Sequence, residues 1–353
     1  MHLQCIVCSS FGFGEKLFRV TLAALALAAV FGFRIGSHFA PSFQPEKSPV
    51  MRSLATRSLR SLRAIWILDS ILLLGTLGTF CTHARAQEAK WDLPSAVTYS
   101  AEVKSEPRVL RVHRLAIDLK AESLQFAVVP GQDPDGDGPI EALLTPPKKL
   151  GEEVSAIALI NTSAWGMFPD KNTGKKQSYV VGGEADILGW VYQSDKQVSP
   201  IQAGFWTCWM DSNRRVSIAN LGERPEAERP TQAAWAVSGF RGILADGKIL
   251  PEPSDVRHPR TALGLSADGT TMTWLVVDGR QPGYSEGVSE HELAQLMLEA
   301  GCDDAMNLDG GGSSVMLLRD QDGSLSAANR PSDPTGQRPV PVVLCIRRSE
   351  QSN

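Results

Sequence analysis

The most constraining feature of the chain is a strand, helix and strand pattern that ends in three glycines. Residues 271–277 form a nearly continuous apolar run, typical of a strand covered on both faces. Ser289 and Glu292 have the spacing of a capping box, after which apolar residues recur at helical spacing until Gly301. Residues 305–308 then lead into the glycines. The pattern predicts one βαβ-like unit over residues 271–312.

The remainder of the chain after residue 108 indicates short strands separated by turns. Residues 109–118 and 124–129 predict two strands joined as a hairpin, and Asp246-Gly247 has the composition of a tight hairpin turn. The 31 glycines and 22 prolines favour many turns over long helices. We therefore predict an α+β or mixed α/β fold: a single compact domain at residues 109–348, with a mixed β-sheet core and few helices.

The first 86 residues are predicted to lie outside that domain. Residues 51–86 contain a basic start, an apolar run and Ala84-Arg85-Ala86, which is the order of a signal peptide cleaved before Gln87. An uncleaved membrane anchor is the alternative. Residues 1–50 are interpreted as a gene-model extension or an additional hydrophobic segment, and residues 87–108 as a lead-in. We expect a secreted or extracytoplasmic protein, periplasmic or extracellular, with no stable membrane partner once the signal is cleaved.

Charge and cysteine content exclude several classes of protein. A net charge of −4 provides no overall basic field for nucleic acid. After the leader, Cys208, Cys302 and Cys345 remain, and they are predicted to be buried thiols rather than a disulfide scaffold or a metal site. Residues 133–138 resemble the start of a calcium loop, but Leu144 stands where a bidentate glutamate belongs, so a solvated turn is predicted.

Two Asp-Gly pairs are the candidate catalytic positions. Asp278 and Asp309 each follow a strand of the predicted βαβ-like unit. If those strands are parallel, both carboxylates lie at one edge of the sheet, where α/β proteins bind ligands. Two carboxylates are the minimum for glycoside hydrolysis, one as acid and one as nucleophile or base. A plain turn is the alternative interpretation of each pair.

A candidate anion site adjoins the second aspartate. Bare glycine amides can converge on an anion, and serine hydroxyls and a guanidinium can add donors to phosphate oxygens. The residues predicted to serve these roles are Gly310, Gly311, Gly312, Ser313, Ser314 and Arg260.

Several of these motifs together resemble the phosphodiester glycosidase family. They are residues 258–264 (His-Pro-Arg-Thr-Ala-Leu-Gly), 277–280 (Val-Asp-Gly-Arg), 307–314 (Asn-Leu-Asp-Gly-Gly-Gly-Ser-Ser) and 329–332 (Asn-Arg-Pro-Ser). The resemblance extends over residues 109–346. It implies an exported hydrolase that cleaves a sugar-1-phosphodiester, with a phosphodiester-linked carbohydrate as its partner and no cofactor, although a calcium or magnesium ion stays open.

The same resemblance adds two candidate substrate-binding residues, Asn161 and Asn329. The family pattern has Asn-Gly followed by aromatics after the strand that ends at Asn161, whereas this chain has Thr162, Ser163, Ala164 and Trp165. The identity of the sugar therefore stays open, with N-acetylglucosamine one choice among several.

Two other functions are alternatives. A metal-dependent phosphoesterase would use the same aspartates as ligands, and a non-catalytic binder of anionic polysaccharide would use aromatics such as Trp206 and Trp209.

Overall fold

A computed structural model describes residues 90–169, 173–175 and 177–349. The signal peptide and the extension that the sequence predicts at residues 1–86 lie outside these residues. Within the described ranges, no helix combines the length and apolar character needed to cross a bilayer.

The described residues form twenty strands and two α-helices. In chain order the elements are β1 (Val97–Lys104), β2 (Leu110–Asp118), β3 (Leu124–Pro130), β4 (Ala142–Leu143), α1 (Pro147–Glu153), β5 (Ala158–Asn161), β6 (Trp165–Met167), β7 (Glu184–Ile187), β8 (Val191–Gln193), β9 (Lys196–Ser199), β10 (Trp206–Met210), β11 (Val216–Ala219), β12 (Trp235–Gly239), β13 (Arg241–Ala245), β14 (Lys248–Ile249), β15 (Arg260–Leu265), β16 (Thr271–Val277), α2 (Glu290–Glu299), β17 (Asp304–Asn307), β18 (Met316–Arg319), β19 (Leu325–Ala327) and β20 (Val342–Arg348).

The strands form three main sheets and one small sheet. The strand orders are β1-β2-β16-β15-β17-β13-β14, β11-β10-β12-β8-β9, β19-β18-β5-β20-β3 and β4-β7-β6. Every pair of strands that the described residues form is antiparallel. The domain is thus predominantly β with few helices, and the expected mixed sheet is replaced by antiparallel sheets.

The predicted βαβ-like unit is present in a modified form. Strands β16 and β17 run in the same direction, but β15 lies between them and pairs antiparallel with both. The inserted strand comes just before β16 in the chain, so a simple hairpin turn places it there. Because β16 and β17 share a direction, the residues that follow them reach the same edge of the sheet.

One predicted hairpin is wrong and another is confirmed. Strand β2 pairs with β1 and β16, whereas β3 pairs with β20 in a different sheet. Both edges of β2 are therefore occupied, and β3 could not join it. The turn at Asp246 and Gly247 does connect β13 to β14, with φ angles of 48° and 68° as a type I′ turn requires.

Helix α2 begins and ends where the sequence predicts. The Ser289 hydroxyl accepts a hydrogen bond from the Glu292 amide at 3.2 Å, and the Glu292 carboxylate accepts one from the Ser289 amide at 2.8 Å. Gly301 follows the helix with a φ of 88°. The buried side chains of Leu293 and Met297 pack in one apolar cluster with β16 and β13. Capping and packing together fix the first turn of α2 against the sheet edge.

The main core lies between the large sheets. Its buried side chains include Leu115 and Trp274 from the first sheet, Val237 from the second, and Ile160 and Leu344 from the third. The three predicted thiols, Cys208, Cys302 and Cys345, are buried and unpaired, as expected.

Candidate functional site

A cavity of about 310 Å³ opens at the edge where β16 and β17 end and β13 and β15 begin. This size lies at the lower end of the range for small-molecule sites. The cavity is lined by Phe240, Arg241, His258, Arg260, Arg280, Glu290, Asp309, Gly310, Gly311 and Arg338.

Asp309 is the half-buried aspartate of this cavity. Its amide donates to the Thr162 carbonyl at 2.8 Å, and its carbonyl accepts from the Asn161 side chain at 2.7 Å, so the backbone is held on both sides. Burial raises the pKa of Asp309 to about 6, although the Ser313 hydroxyl, the Gly310 amide and nearby guanidinium groups favour the ionised form. A carboxyl group with that pKa can exchange a proton near neutral pH.

Glu290 is the second carboxylate of the cavity, and it is not among the residues predicted from the sequence motifs. It occupies the first turn of α2 and lies 3.3 Å from Arg260 Nη1 and 3.5 Å from Arg241 Nε. The Asn307 side chain also donates to it at 3.3 Å. Both arginines are therefore oriented by one carboxylate at the cavity wall.

Arg280 supplies a guanidinium that has no carboxylate partner among the described residues. Its Nη2 lies 3.2 Å from His258 Nδ1, so that ring nitrogen acts as the acceptor. Burial lowers the pKa of His258, and Arg280 and Arg260 lower it further, which favours this neutral form. The backbone of Arg280 is left-handed, with a φ of 57°, a conformation that non-glycine residues adopt at an energetic cost.

Arg338 is the fourth guanidinium of the cavity. Its Nε donates to the Asp333 carboxylate at 2.8 Å, and its guanidinium lies over the Tyr179 ring at 4.4 Å from the ring centre. A side chain at Gly312 would place its Cβ only 2.3 Å from the guanidinium. Glycine at position 312 therefore provides the space for this arginine.

The glycine segment serves the site differently from the prediction. Gly310 and Gly311 line the cavity, but the Gly311 amide donates to the Pro259 carbonyl at 2.8 Å rather than facing the cavity. The Ser313 and Ser314 amides donate to carbonyls of the same segment at 3.3 Å, and both serine side chains are buried. The amides of Gly311, Ser313 and Ser314 are thus occupied by backbone carbonyls, and guanidinium groups supply the formal positive charge of the cavity.

Gly311, like Gly312, leaves space for an arginine side chain. Its φ of 63° is left-handed, and a Cβ there would lie 2.9 Å from Arg280 Nη1. Glycine is therefore required both by the turn and by the close approach of the guanidinium.

Asp278 does not reach this cavity. Its side chain is fully buried, and its carboxylate accepts from the Asn329 side chain at 3.0 Å and from the Arg330 amide at 3.0 and 3.1 Å. His113 Nε2 lies 3.3 Å from the same carboxylate, and the Tyr99 hydroxyl lies 2.9 Å from the other ring nitrogen. The two aspartates end strands at the same edge, but only Asp309 faces the cavity.

The two predicted asparagines are buried behind the site. Asn161 donates to the Asp309 carbonyl and accepts from the Thr261 hydroxyl at 2.9 Å and the Val315 amide at 3.1 Å. Asn329 donates to the Ser314 carbonyl at 3.1 Å as well as to Asp278. Both asparagines hold the Asp309 segment in place, and neither lines the cavity.

Six lining residues of the cavity are not among the site residues predicted from the sequence. They are Phe240, Arg241, His258, Arg280, Glu290 and Arg338. His258 and Arg280 stand inside motifs that were recognised, so the motifs themselves carried a signal for both. Glu290 lies between the two capping-box residues, Ser289 and Glu292. An acidic residue in the first turn of a helix is favourable for the helix itself, so the sequence offers no reason to assign Glu290 to a site.

Comparison with known proteins identifies the family. A model of the phosphodiester glycosidase family matches residues 156–347, which contain every lining residue of the cavity. The chain belongs to the phosphodiester glycosidase family. The family is one of hydrolases, and its matched region begins just before β5 and ends in β20.

One solved structure supports the fold of this family member, and a second aligns more weakly. The catalytic domain of zebrafish N-acetylglucosamine-1-phosphodiester alpha-N-acetylglucosaminidase, auto-inhibited by its pro-peptide, aligns with a TM-score of 0.51 and 19% identity over 73% of this chain and 85% of that one. A hypothetical protein from Synechocystis aligns with a TM-score of 0.48 and 13% identity over 74% and 63% of the two chains. At 19% identity, the similarity to the zebrafish domain concerns the fold alone.

A curated relative matches a shorter segment. The SPbeta prophage-derived uncharacterized protein YomE of Bacillus subtilis (strain 168) is 45% identical over 60 residues. That segment is 17% of this chain and 9% of the relative, so the match spans less than a tenth of that protein.

Proposed function

We propose that this protein is an exported glycosidase that hydrolyses a sugar-1-phosphodiester in a glycoconjugate or a cell-surface polysaccharide. The proposal depends on the position of one carboxylate beside several guanidinium groups. Asp309, with a pKa raised to about 6, lines a cavity that also presents four guanidinium groups. A carboxylate suited to attack or proton transfer thus lies beside groups suited to hold a phosphate.

The reaction begins at the anomeric carbon of the sugar. In one route Asp309 takes a proton from the water that attacks this carbon; in the other, its carboxylate attacks and a water molecule later releases the sugar. In both, the bond between the anomeric carbon and the phosphate oxygen breaks, and its electron pair leaves with the phosphate. Guanidinium groups stabilise the charge that grows there, which favours Arg280 because it lacks a carboxylate partner among the described residues.

Asp278 has a different role in this proposal from the catalytic one that the sequence suggested. Its buried carboxylate holds Asn329 and the Arg330 amide, and Asn329 in turn holds the Ser314 carbonyl. We therefore assign Asp278 as a positioning residue for the segment that carries Asp309.

Replacement of Asp309 tests the proposed function. With methyl phosphodiesters of glucose-1-phosphate, galactose-1-phosphate and N-acetylglucosamine-1-phosphate as substrates, we expect D309N to lower kcat about 10²- to 10⁴-fold. Release of methyl phosphate would be followed by phosphorus NMR. Asp303→Asn is the matched control, since Asp303 is not among the lining residues. Equal activity of D309N and the wild type would overturn the proposal, and the configuration of the released sugar separates the two routes.

A separate chelation experiment tests the alternative of a metal-dependent phosphoesterase. In the described residues, the acidic groups close enough to share an ion are Asp246, Asp303 and Asp304, and none of them lines the cavity. We expect EDTA to leave kcat unchanged. Loss of activity with EDTA and recovery with calcium or magnesium would favour a metal-dependent enzyme, and binding of all three phosphodiesters without turnover would favour the polysaccharide binder.

Export is part of the same proposal. It depends on the order of basic, apolar and small residues between positions 51 and 86. Expression of the whole chain in a bacterial host should yield an extracytoplasmic protein whose first residue is Gln87. A cell-associated product that retains residues 51–86 would instead indicate a membrane anchor.

A further inference from the structure

A second recess adjoins the cavity and differs from it in chemistry. It has a volume of about 150 Å³, and Asp309, Arg338 and Phe240 line both spaces. The rest of its wall is apolar or aromatic and includes Trp165, Tyr179 and Leu188. Asp309 therefore lies at the boundary between a guanidinium-lined space and an aromatic one.

We propose that this aromatic recess receives the sugar ring while the guanidinium-lined cavity receives the phosphate. This inference rests on the proposed function, since a sugar-1-phosphodiester joins the two chemistries through one bond. That arrangement places the anomeric carbon at the boundary, beside the carboxylate of Asp309. The C–H face of a pyranose ring is apolar and packs on aromatic rings, whereas a phosphodiester needs cationic donors.

The aromatic groups of the recess are held in position before any ligand binds. Trp165 and Tyr179 meet edge to face, with ring centres 5.9 Å apart. Trp165 belongs to β6, and the Phe240 amide donates to the Asn307 carbonyl at 2.9 Å where β12 passes into β13. Recognition by such a preformed wall costs little ordering of side chains.

Exposure also distinguishes this wall from core packing. Tyr179 is 42% exposed and Phe240 is 39% exposed, although both are large apolar side chains. By contrast, Trp206 and Trp209, which the polysaccharide-binder alternative would use, are partly buried and pack against apolar clusters. Two exposed aromatic side chains that line one recess with Asp309 are available for contact with a ligand.

The charges of the recess limit the class of sugar. Among its described lining residues, the only ionisable groups besides Tyr179 are Asp309 and Arg338, and Asp333 already holds Arg338. A uronic acid or a free amino sugar would bring a charge that the apolar wall leaves without a dedicated partner. The recess therefore selects one uncharged sugar ring.

Binding of the two halves of the substrate can be measured separately in the full-length protein. The probes are inorganic phosphate on one side and glucose, galactose, mannose and N-acetylglucosamine on the other, followed by saturation-transfer NMR and by titration. We expect Tyr179→Ala and Phe240→Ala to weaken binding of the preferred sugar about tenfold or more, because each removes roughly 1.4 kcal/mol of ring packing. Phosphate binding should weaken clearly less than sugar binding does, although Phe240 also lines the cavity and the Tyr179 ring contacts Arg338.

Three further variants make the test specific. Arg280→Ala should weaken phosphate binding and leave sugar binding unchanged, and Tyr179→Phe should keep both. Leu250→Ala is the matched control, because Leu250 is a similarly exposed apolar side chain at 45% and does not line the recess. Equal loss of both probes in the aromatic variants, no loss in either, or no sugar binding by the wild type would overturn the inference.

The test of sugar binding does not depend on whether the protein hydrolyses a phosphodiester. If D309N and the wild type hydrolyse nothing but the aromatic variants lose only sugar binding, the proposed function fails and the sugar site stands. If hydrolysis is confirmed but the aromatic variants bind sugar as the wild type does, the assignment of this recess fails alone.

Discussion

Two aspartates that look alike in the sequence have different surroundings in the folded chain. Asp278 and Asp309 each follow a strand and precede a glycine. The Asp278 carboxylate is buried and receives hydrogen bonds from Asn329 and the Arg330 amide, whereas Asp309 lines the cavity. Local sequence reports the turn that follows each aspartate. It does not report which partners reach each carboxylate from distant parts of the chain.

The raised pKa of Asp309 has a consequence for stability. Because the folded state raises the pKa from 3.8 to about 6, it binds this proton more tightly than the unfolded state does. The resulting stabilisation is complete below about pH 4 and is lost as the pH rises through about 6. At pH 8 the buried, ionised carboxylate therefore destabilises the folded state. Replacement by a neutral amide in D309N should raise the free energy of unfolding by about 1–2 kcal/mol.

Urea unfolding at pH 8 and at pH 5 measures this effect. The advantage of D309N over the wild type should be largest at pH 8 and smaller at pH 5. A variant that is less stable than the wild type at pH 8 would show that the hydrogen bonds of the carboxylate outweigh its desolvation.

At the scale of elements, α2 links a local signal to the site. The capping box formed by Ser289 and Glu292 sets the start of the helix, and that start places Glu290 beside Arg241 and Arg260. A motif that is explained by helix capping thus also orients two guanidinium groups of the cavity.

Removal of the capping hydroxyl should destabilise this element. We expect Ser289→Ala to lower the free energy of unfolding by about 1 kcal/mol, the usual effect of losing an N-cap side chain. Gln295→Ala is the control, because Gln295 is exposed in the middle of the same helix and a surface change there is worth about 0.5 kcal/mol or less. Chemical denaturation compares the two, and equal stabilities would contradict the capping argument.

At the scale of the whole molecule, the three thiols are buried in three different apolar clusters: Cys208 in the main core, Cys302 beneath α2 and Cys345 in the cluster that includes Leu150 of α1. Cys208, Cys302 and Cys345 are unpaired and buried, and burial raises the pKa of Cys302 to about 11. Because the thiolate is the reactive form, both burial and the raised pKa should slow the reaction of these groups.

A thiol titration tests the packing of the complete domain. In protein that begins at Gln87, Ellman's reagent should label none of the three thiols rapidly in the native state and all three in concentrated urea. Rapid labelling of the native protein would show that the core opens easily, and fewer than three thiols in urea would reveal a disulfide.

The features that the sequence determined by itself depend on residues close together in the chain. The capping box, the end of α2 at Gly301, the turn at Asp246 and the buried strand that ends at Asn161 all depend on neighbours in the chain, and all are confirmed. The common edge reached by Asp278 and Asp309 also follows from the shared direction of β16 and β17.

Only the tertiary structure decided which side chains share the cavity. Pairing across long sequence distances joined β17 to β15, which a hairpin already holds beside β16, and it separated β2 from β3. The same packing brought Arg241, Glu290 and Arg338 to Asp309 from segments as much as 97 residues apart, and left Asp278 enclosed behind them. The physical reason is that burial, ion pairing and close approach depend on distance in space, which short motifs do not record.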